Sequence, residues 1–126
     1  MIGYLTLGTN DIEKAAGFYD ELLAIIGASR FMEEGQFIAW ATSMDKPAIS
    51  VTTPYDGNPA TVGNGVMAAL VVDAPGKVDA LHAAAMSLGG KNEGEPGPRG
   101  DSGFYAGYFR DLDGNKLAAY CIVPKN

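Results

Sequence analysis

Apolar and polar positions along the chain recur with two periods, near 2 and near 3.6, and their order predicts the elements. Residues 2–8 alternate, with Tyr4 and Thr6 on one face and Leu5 and Leu7 on the other, which predicts a strand. Asn10 stands where a helix cap belongs, Glu13 can reach back to it, and Asp11 suits the positive end of the first turn. Ile12, Ala15, Ala16, Tyr19, Leu22, Leu23 and Ile26 then repeat at helical spacing, and the stripe ends near Gly27. Three β-rich runs follow at 29–33, 36–43 and 48–53. Their connections, Glu34-Gly35 and Met44-Asp45-Lys46-Pro47, are short enough to require an antiparallel meander.

A stretch dense in Gly, Pro and Asn, from Pro54 to Gly65, interrupts the pattern almost at mid-chain and reads as a linker. After it the first pattern returns. Residues 66–72 read as a strand, Asp73 as a cap with Pro75 in the first turn, and Val78, Leu81, Ala85 and Leu88 as a stripe ending at Gly89-Gly90. Laying 2–29 on 65–92 without a gap matches strand to strand and helix to helix, with Tyr4 on Met67, Leu7 on Leu70, Asn10 on Asp73, Tyr19 on His82 and Gly27 on Gly90. A glycine-rich loop at 94–103 comes next, and the strand matching 29–33 is expected to be lost or shortened around 91–95. Two β-rich runs, 103–110 and 116–123, close the chain around Asp111-Leu112-Asp113-Gly114-Asn115, where the Asp-Gly pair signals a hairpin. The fold class read from this order is α+β: two tandem βαβββ modules in one domain, module one at 1–54, the linker at 55–64 and module two at 65–126, with helices against one side of a mainly antiparallel sheet. A half of about 60 residues is marginal alone, so the two should share a core.

Composition narrows the function. Hydrophobic content of 47% with 19% charged residues fits a folded chain rather than a disordered one. A net charge of −6 makes nucleic acid and anionic membranes poor partners. The single Cys121 excludes an internal disulfide framework. With no basic start leading into an apolar run, a cytoplasmic location is expected.

The closing hairpin, the Asn-Asp-Ile-Glu-Lys-Ala-Ala-Gly-Phe-Tyr-Asp run at 10–20 and the linker at 54–65 resemble the vicinal oxygen chelate superfamily, which includes glyoxalase I, extradiol dioxygenases, and fosfomycin- and bleomycin-resistance proteins. The linker resembles that of short bacterial members described only as glyoxalase-like. The resemblance implies paired modules whose curved sheet surrounds a cavity, helices outside, and a dimer. It also implies a divalent metal, held by residues on the first and last strand of each module, at positions that here carry Tyr4, Ser50, Met67 and Ala118. A phenol, a hydroxyl, a thioether and a methyl are not the imidazole and carboxylate set that such metals want, so no bound metal or other cofactor is expected. His82 is read as a helix-face or core histidine, and Cys121, which shares a strand face with Leu117 and Ala119, as a buried thiol. Asp111-x-Asp113-Gly114-Asn115 lacks calcium-loop spacing. Glu33-Glu34 and Glu93-x-Glu95 read as solvated loop charge, and Arg99-Gly100-Asp101 as loop sequence.

What remains is a pocket wall of apolar side chains with phenol hydroxyls, suited to a flat or aromatic small molecule. The candidate ligand-binding residues are Tyr4, Trp40, Ser50, Met67, Arg99, Tyr108, Ala118 and Tyr120, with Phe37 as an alternative to Trp40 and Arg99 placed to meet an anionic ligand at the mouth. A two-residue turn would pair Phe109 with Ala118 and favour Tyr105, whereas the longer turns of the family favour Tyr108. Tyr4 and Tyr108 are the candidate proton donors should there be catalysis. Three readings follow in order: a metal-free binding protein of the bleomycin-resistance type, a glyoxalase-like lyase or isomerase, and a degenerate interaction module.

Overall fold

The computed structural model describes residues 1–124. Strand β1 (Tyr4–Gly8), helix α1 (Ile12–Ala24) and strands β2 (Ser29–Glu34), β3 (Phe37–Ala41) and β4 (Ala48–Thr52) make the first half, and β5 (Ala68–Val71), α2 (Pro75–Ser87), β6 (Lys91–Pro98), β7 (Phe104–Arg110) and β8 (Lys116–Ile122) repeat that order. Two four-stranded sheets result, ordered β1-β4-β3-β2 and β5-β8-β7-β6. Within each, three consecutive strands form the antiparallel meander that their short connections dictate. The first strand, carried over by the helix, pairs in parallel with the last. The fold is therefore α+β with two tandem modules and mixed sheets that do not close into a barrel.

The two halves match most closely at the helices, each of 13 residues, where Ile12 falls on Pro75 and Ala24 on Ser87 under the ungapped superposition. The caps differ from expectation. Asp11, not Asn10, caps α1 by accepting from the Lys14 N–H at 3.2 Å. Asn10 instead clasps the linker, its Oδ1 accepting from the Ala60 N–H at 2.6 Å and its Nδ2 donating to the Ala60 carbonyl. Helix α2 starts from Ala74 with Pro75 in the first turn, and Asp73 pairs with Lys77 at 2.9 Å. The strand expected to be lost is present: β6 has 8 residues, two bulged register shifts, and takes in Gly94 and Gly97, so the glycine-rich loop is confined to 99–103. Glycine there leaves room for the Tyr108 ring and the Arg99 guanidinium, each of which a Cβ on Gly94 would crowd. The glutamates read as loop charge lie on β2 and β6.

Helix α1 buries Ala15, Phe18, Tyr19, Leu22 and Leu23 against Leu7, Ile38, Trp40, Ile49 and Val51. Helix α2 buries Val78, Leu81 and Ala85 against Phe109, Leu117, Ala119 and Cys121. The helices also touch, and one apolar core runs through both halves. Each fully buried leucine, such as Leu22 or Leu81, contributes about 1.5–3 kcal/mol. The closing hairpin locks the halves together. Asp111 Oδ1 accepts from the Asp113 and Asn115 N–H groups, both at 2.9 Å, while Oδ2 accepts from the Tyr19 hydroxyl at 2.5 Å and from Asn115 Nδ2 at 3.0 Å. Asn115 Nδ2 also donates to the Gly8 carbonyl, and Asp113 Oδ1 accepts from the Asn10 N–H.

Candidate functional site

Strand alternation divides each sheet into a face under its helix and a face free of it. On the first sheet the free face carries Tyr4 and Thr6 of β1, Ser50 of β4, and Phe37 and Ala39 of β3, because Thr6 pairs with Ser50, Ser50 with Ala39 and Tyr4 with Ala48. Tyr4 is 65% exposed and meets Phe37 edge to face at 6.4 Å. On the second sheet the free face carries Lys116, Ala118 and Tyr120 of β8, opposite Arg110, Tyr108 and Ala106 of β7. Ala69 of β5 lies beside Ala118, and Met67, one residue before β5, is level with Lys116.

Trp40 does not belong to this surface. It is on the helix side of β3, 1% exposed, tilted against Tyr19 at 5.6 Å, and its indole N–H donates to Asp20 Oδ1 at 2.8 Å. The parity of β3 decides this: Phe37 and Ala39 face away from α1, so Ile38 and Trp40 face toward it. Asp20, held by Arg30 and then by Trp40, has its carboxyl kept below the usual range. The two tyrosines of β7 also separate by parity. The hairpin pairs Arg110 with Lys116, which puts Tyr108 opposite Ala118 on the free face. Tyr105 lies on the helix side and donates to Asp79 Oδ1 at 2.8 Å, which pushes its phenol up.

The four positions where the family resemblance expects metal ligands do not fit a metal. The Ser50 hydroxyl, fully buried, donates to the Leu5 carbonyl at 3.1 Å and so accepts from Thr6 Oγ1 at 2.8 Å; its bonding is already satisfied. Ala118 offers a buried methyl, Met67 a thioether and Tyr4 an exposed phenol. No group of three or more His, Cys, Asp or Glu able to hold a metal occurs among the described residues. His82 is 4% exposed in α2, its Nε2 at 3.0 Å from Asn92 Oδ1 and its ring edge to face with Phe109. Cys121 is buried, which raises its thiol pKa.

A cavity opens at the end of the second sheet. About 550 Å³ in volume, it lies between the 62–66 end of the linker, Met67, and the Arg110 and Lys116 pair that starts the hairpin. Arg110 is bound to Glu93 at 2.7 Å and donates to the Gly114 carbonyl. That ion pair, with Lys116 and Lys91 adding to it, keeps the Glu93 carboxyl below its ordinary range. Next to the cavity the Tyr108 ring has the Arg99 guanidinium 5.5 Å and the Lys116 ammonium 5.6 Å from its centroid. Met67, Arg99, Tyr108, Ala118 and Tyr120 thus gather at the second sheet, with Tyr120 tilted against Phe104 at 5.4 Å. Tyr4 and Ser50 lie on the first. Lys116, Arg110 and the linker residues were not among the sequence candidates. Lys116 carried a usable signal, because it shares a strand face with Ala118 two positions on. A smaller cavity of about 350 Å³ lies at the other end of the linker, against Thr9, Asn10 and Thr53.

Residues 1–119 match the family model of the Glyoxalase/Bleomycin resistance protein/Dioxygenase superfamily. Among solved structures, a glyoxalase/bleomycin resistance protein from Albidiferax ferrireducens is 34% identical, with 98% of this chain and 99% of that chain covered and a TM-score of 0.89. A lactoylglutathione lyase from Agrobacterium tumefaciens (19% identity, 96% and 92% coverage, TM-score 0.68) and an antibiotic binding protein from Streptomyces (19%, 98% and 96%, 0.67) share the fold. No curated protein matches the sequence.

Proposed function

Because the chain belongs to the glyoxalase/bleomycin resistance protein/dioxygenase superfamily, we propose that it is a metal-free small-molecule binding protein that takes an apolar or aromatic ligand on the helix-free faces of its sheets. The observation that carries this reading is the donor set at the four expected metal positions. One hydroxyl there is internally satisfied and one position is a methyl, so the surface can hold a ligand by shape and contact but not through a metal. The antibiotic binding protein from Streptomyces shows the same fold in a binding role. Elemental analysis of protein purified without chelator, after growth with added zinc, nickel, iron or manganese, is expected to find far less than one metal per chain. A stoichiometric metal would sink the reading. Ligand screening should follow amide NMR shifts of the second sheet, since Trp40, buried beside Asp20, cannot report on the cavity directly.

The binding surface is completed, in this proposal, by a second copy of the chain. Strands β1 and β5 are sheet edges, and Ile2, Tyr4, Leu5, Val66, Met67 and Val71, on or beside them, are large, apolar and exposed. Light scattering at micromolar concentration is expected to give twice the mass of the chain. A monomer would remove the dimer and leave the binding reading standing. Action in the cytoplasm is part of the same proposal, supported by the lone, buried Cys121. No helix of the described residues is long and apolar enough to cross a membrane.

One observation favours a second reading, a glyoxalase-like lyase or isomerase. Tyr108 stands on the free face between two cations, where a phenol can donate a proton to a developing oxyanion. Tyr108→Phe would then abolish turnover of a glyoxalase-type substrate while weakening its binding only by the loss of one neutral hydrogen bond.

A further inference from the structure

We propose that the corner of the second sheet formed by Arg99, Tyr108 and Lys116, of which Lys116 also lines the 550 Å³ cavity, is an anion subsite that takes the carboxylate or phosphate group of the bound small molecule. The inference rests on the binding reading above and adds the chemical class of the ligand. The chain as a whole carries a net charge of −6, yet Lys91, Arg99, Arg110 and Lys116, four of its nine lysines and arginines, lie on or beside β6, β7 and β8 at this corner. Five carboxylates lie on or beside the same strands, but Asp111 and Asp113 are spent on the hairpin, Tyr19 and Asn10, and Asp101 sits in the 99–103 loop. Glu93 is taken by Arg110, and Glu95 accepts from Asn92 Nδ2 at 2.9 Å. Neither Arg99 nor Lys116 forms an ion pair among the described residues.

Arg99 is nevertheless held in place. Its Nη2 donates to the Glu95 carbonyl at 2.7 Å and its Nη1 to the Gly97 carbonyl at 2.9 Å. These bonds order the guanidinium without neutralising it, and Gly94 and Gly97 leave it the space. Arg99 and Lys116 share the Tyr108 ring as like charges, a repulsion that an anion bound beside them would relieve. The ring does not supply that anion, being only a quadrupole. A carboxylate or phosphate between Lys116 and Arg99 would receive charge-assisted hydrogen bonds from both, with the Tyr108 hydroxyl as a further neutral donor. The rest of the ligand would then extend along Met67 and the 62–66 wall of the cavity.

The test uses the full chain, labelled with 15N and titrated at constant ionic strength with inorganic phosphate, with benzoate, and with benzyl alcohol as the uncharged comparator. At least one anion is expected to shift the Met67, Tyr108, Lys116 and Ala118 amides to saturation. Saturation by benzoate alone identifies a carboxylate ligand, and by phosphate alone a phosphate ester. Lys116→Gln and Arg99→Gln should each weaken that binding roughly five- to tenfold, as loss of one charge-assisted hydrogen bond predicts. Lys14→Gln, on α1, should leave it unchanged. The Lys116 side chain makes no hydrogen bond among the described residues, so its variant decides the matter if Arg99→Gln disturbs the loop. Benzyl alcohol binding as tightly as benzoate, with Lys116→Gln silent, would overturn the anion subsite and leave the binding reading intact. Failure of both anions to shift these amides would overturn it too, as would an equal loss in Lys14→Gln.

Discussion

Both carboxylate oxygens of Asp111 are committed, each to two donors, and the residue is buried, so the Asp-Gly turn that signals a hairpin in the sequence is also the joint between the two halves. Tyr19→Phe removes one donor and leaves Oδ2 with Asn115 alone, and should cost about 1–2 kcal/mol in urea unfolding. Asp111→Ala strands several buried donors at once and is expected to cost about 3 kcal/mol or more. Gly103 is constrained by space as well as conformation. It has φ +90°, and a Cβ there would sit 2.2 Å from the Val123 carbonyl oxygen. Gly103→Ala should cost more than about 1 kcal/mol and speed amide exchange at the end of β8, where the Val123 N–H bonds the Gly103 carbonyl. Neither role is legible in the sequence, because Asp111 and Tyr19 lie 92 positions apart and nothing local marks them as partners.

At the scale of elements, the periodic stripes were readable because burial under a helix repeats at the helix's own spacing. Ala15, Ala16, Tyr19, Leu22 and Leu23 of α1 are buried as their pattern requires. Caps were harder, since Asn10 and Asp11 are both good capping residues and only the position of the linker assigns Asn10 to Ala60. Asp11→Ala should therefore destabilise by about 1 kcal/mol through the helix, whereas Asn10→Ala should act through the linker and leave α1 helicity unchanged by circular dichroism. Strand β6 escaped the sequence reading because it is built of Lys, Asn, Glu, Gly and Pro, which have low strand propensity; it persists as an edge strand paired along β7. The Asp20, Arg30 and Trp40 cluster ties α1 to β2 and β3. Arg30→Ala should cost less than about 1 kcal/mol because that pair is solvent-exposed. Asp20→Ala should cost more, since it leaves the buried indole N–H unpaired.

For the molecule as a whole, stability should fall in alkali. Tyr19, through burial first and then Asp111, Tyr105, through its hydrogen bond to Asp79, and Cys121, through burial, all hold their protons more tightly in the fold than free side chains do. A raised pKa contributes stability that is full below the unfolded value, ~8.5 for the thiol and ~10 for the phenols. It is lost as pH rises toward the folded value, because the unfolded chain releases the proton first. The urea midpoint is thus expected to decline above pH ~9, and less steeply in Tyr19→Phe. The sequence by itself determined the two-module α+β order, the two helices, the meander of the first half and the closing hairpin. All of these follow from local periodicity and turn chemistry. Only the tertiary structure decided which face each strand turns outward, and with it the burial of Trp40, the separation of Tyr105 from Tyr108, the meeting of Arg99 and Lys116 at the Tyr108 ring, and the cavity between Arg110, Lys116 and the linker. Register across distant strands sets those placements. A shift of one residue inverts every side chain, and no local pattern fixes such a register until the sheets are paired.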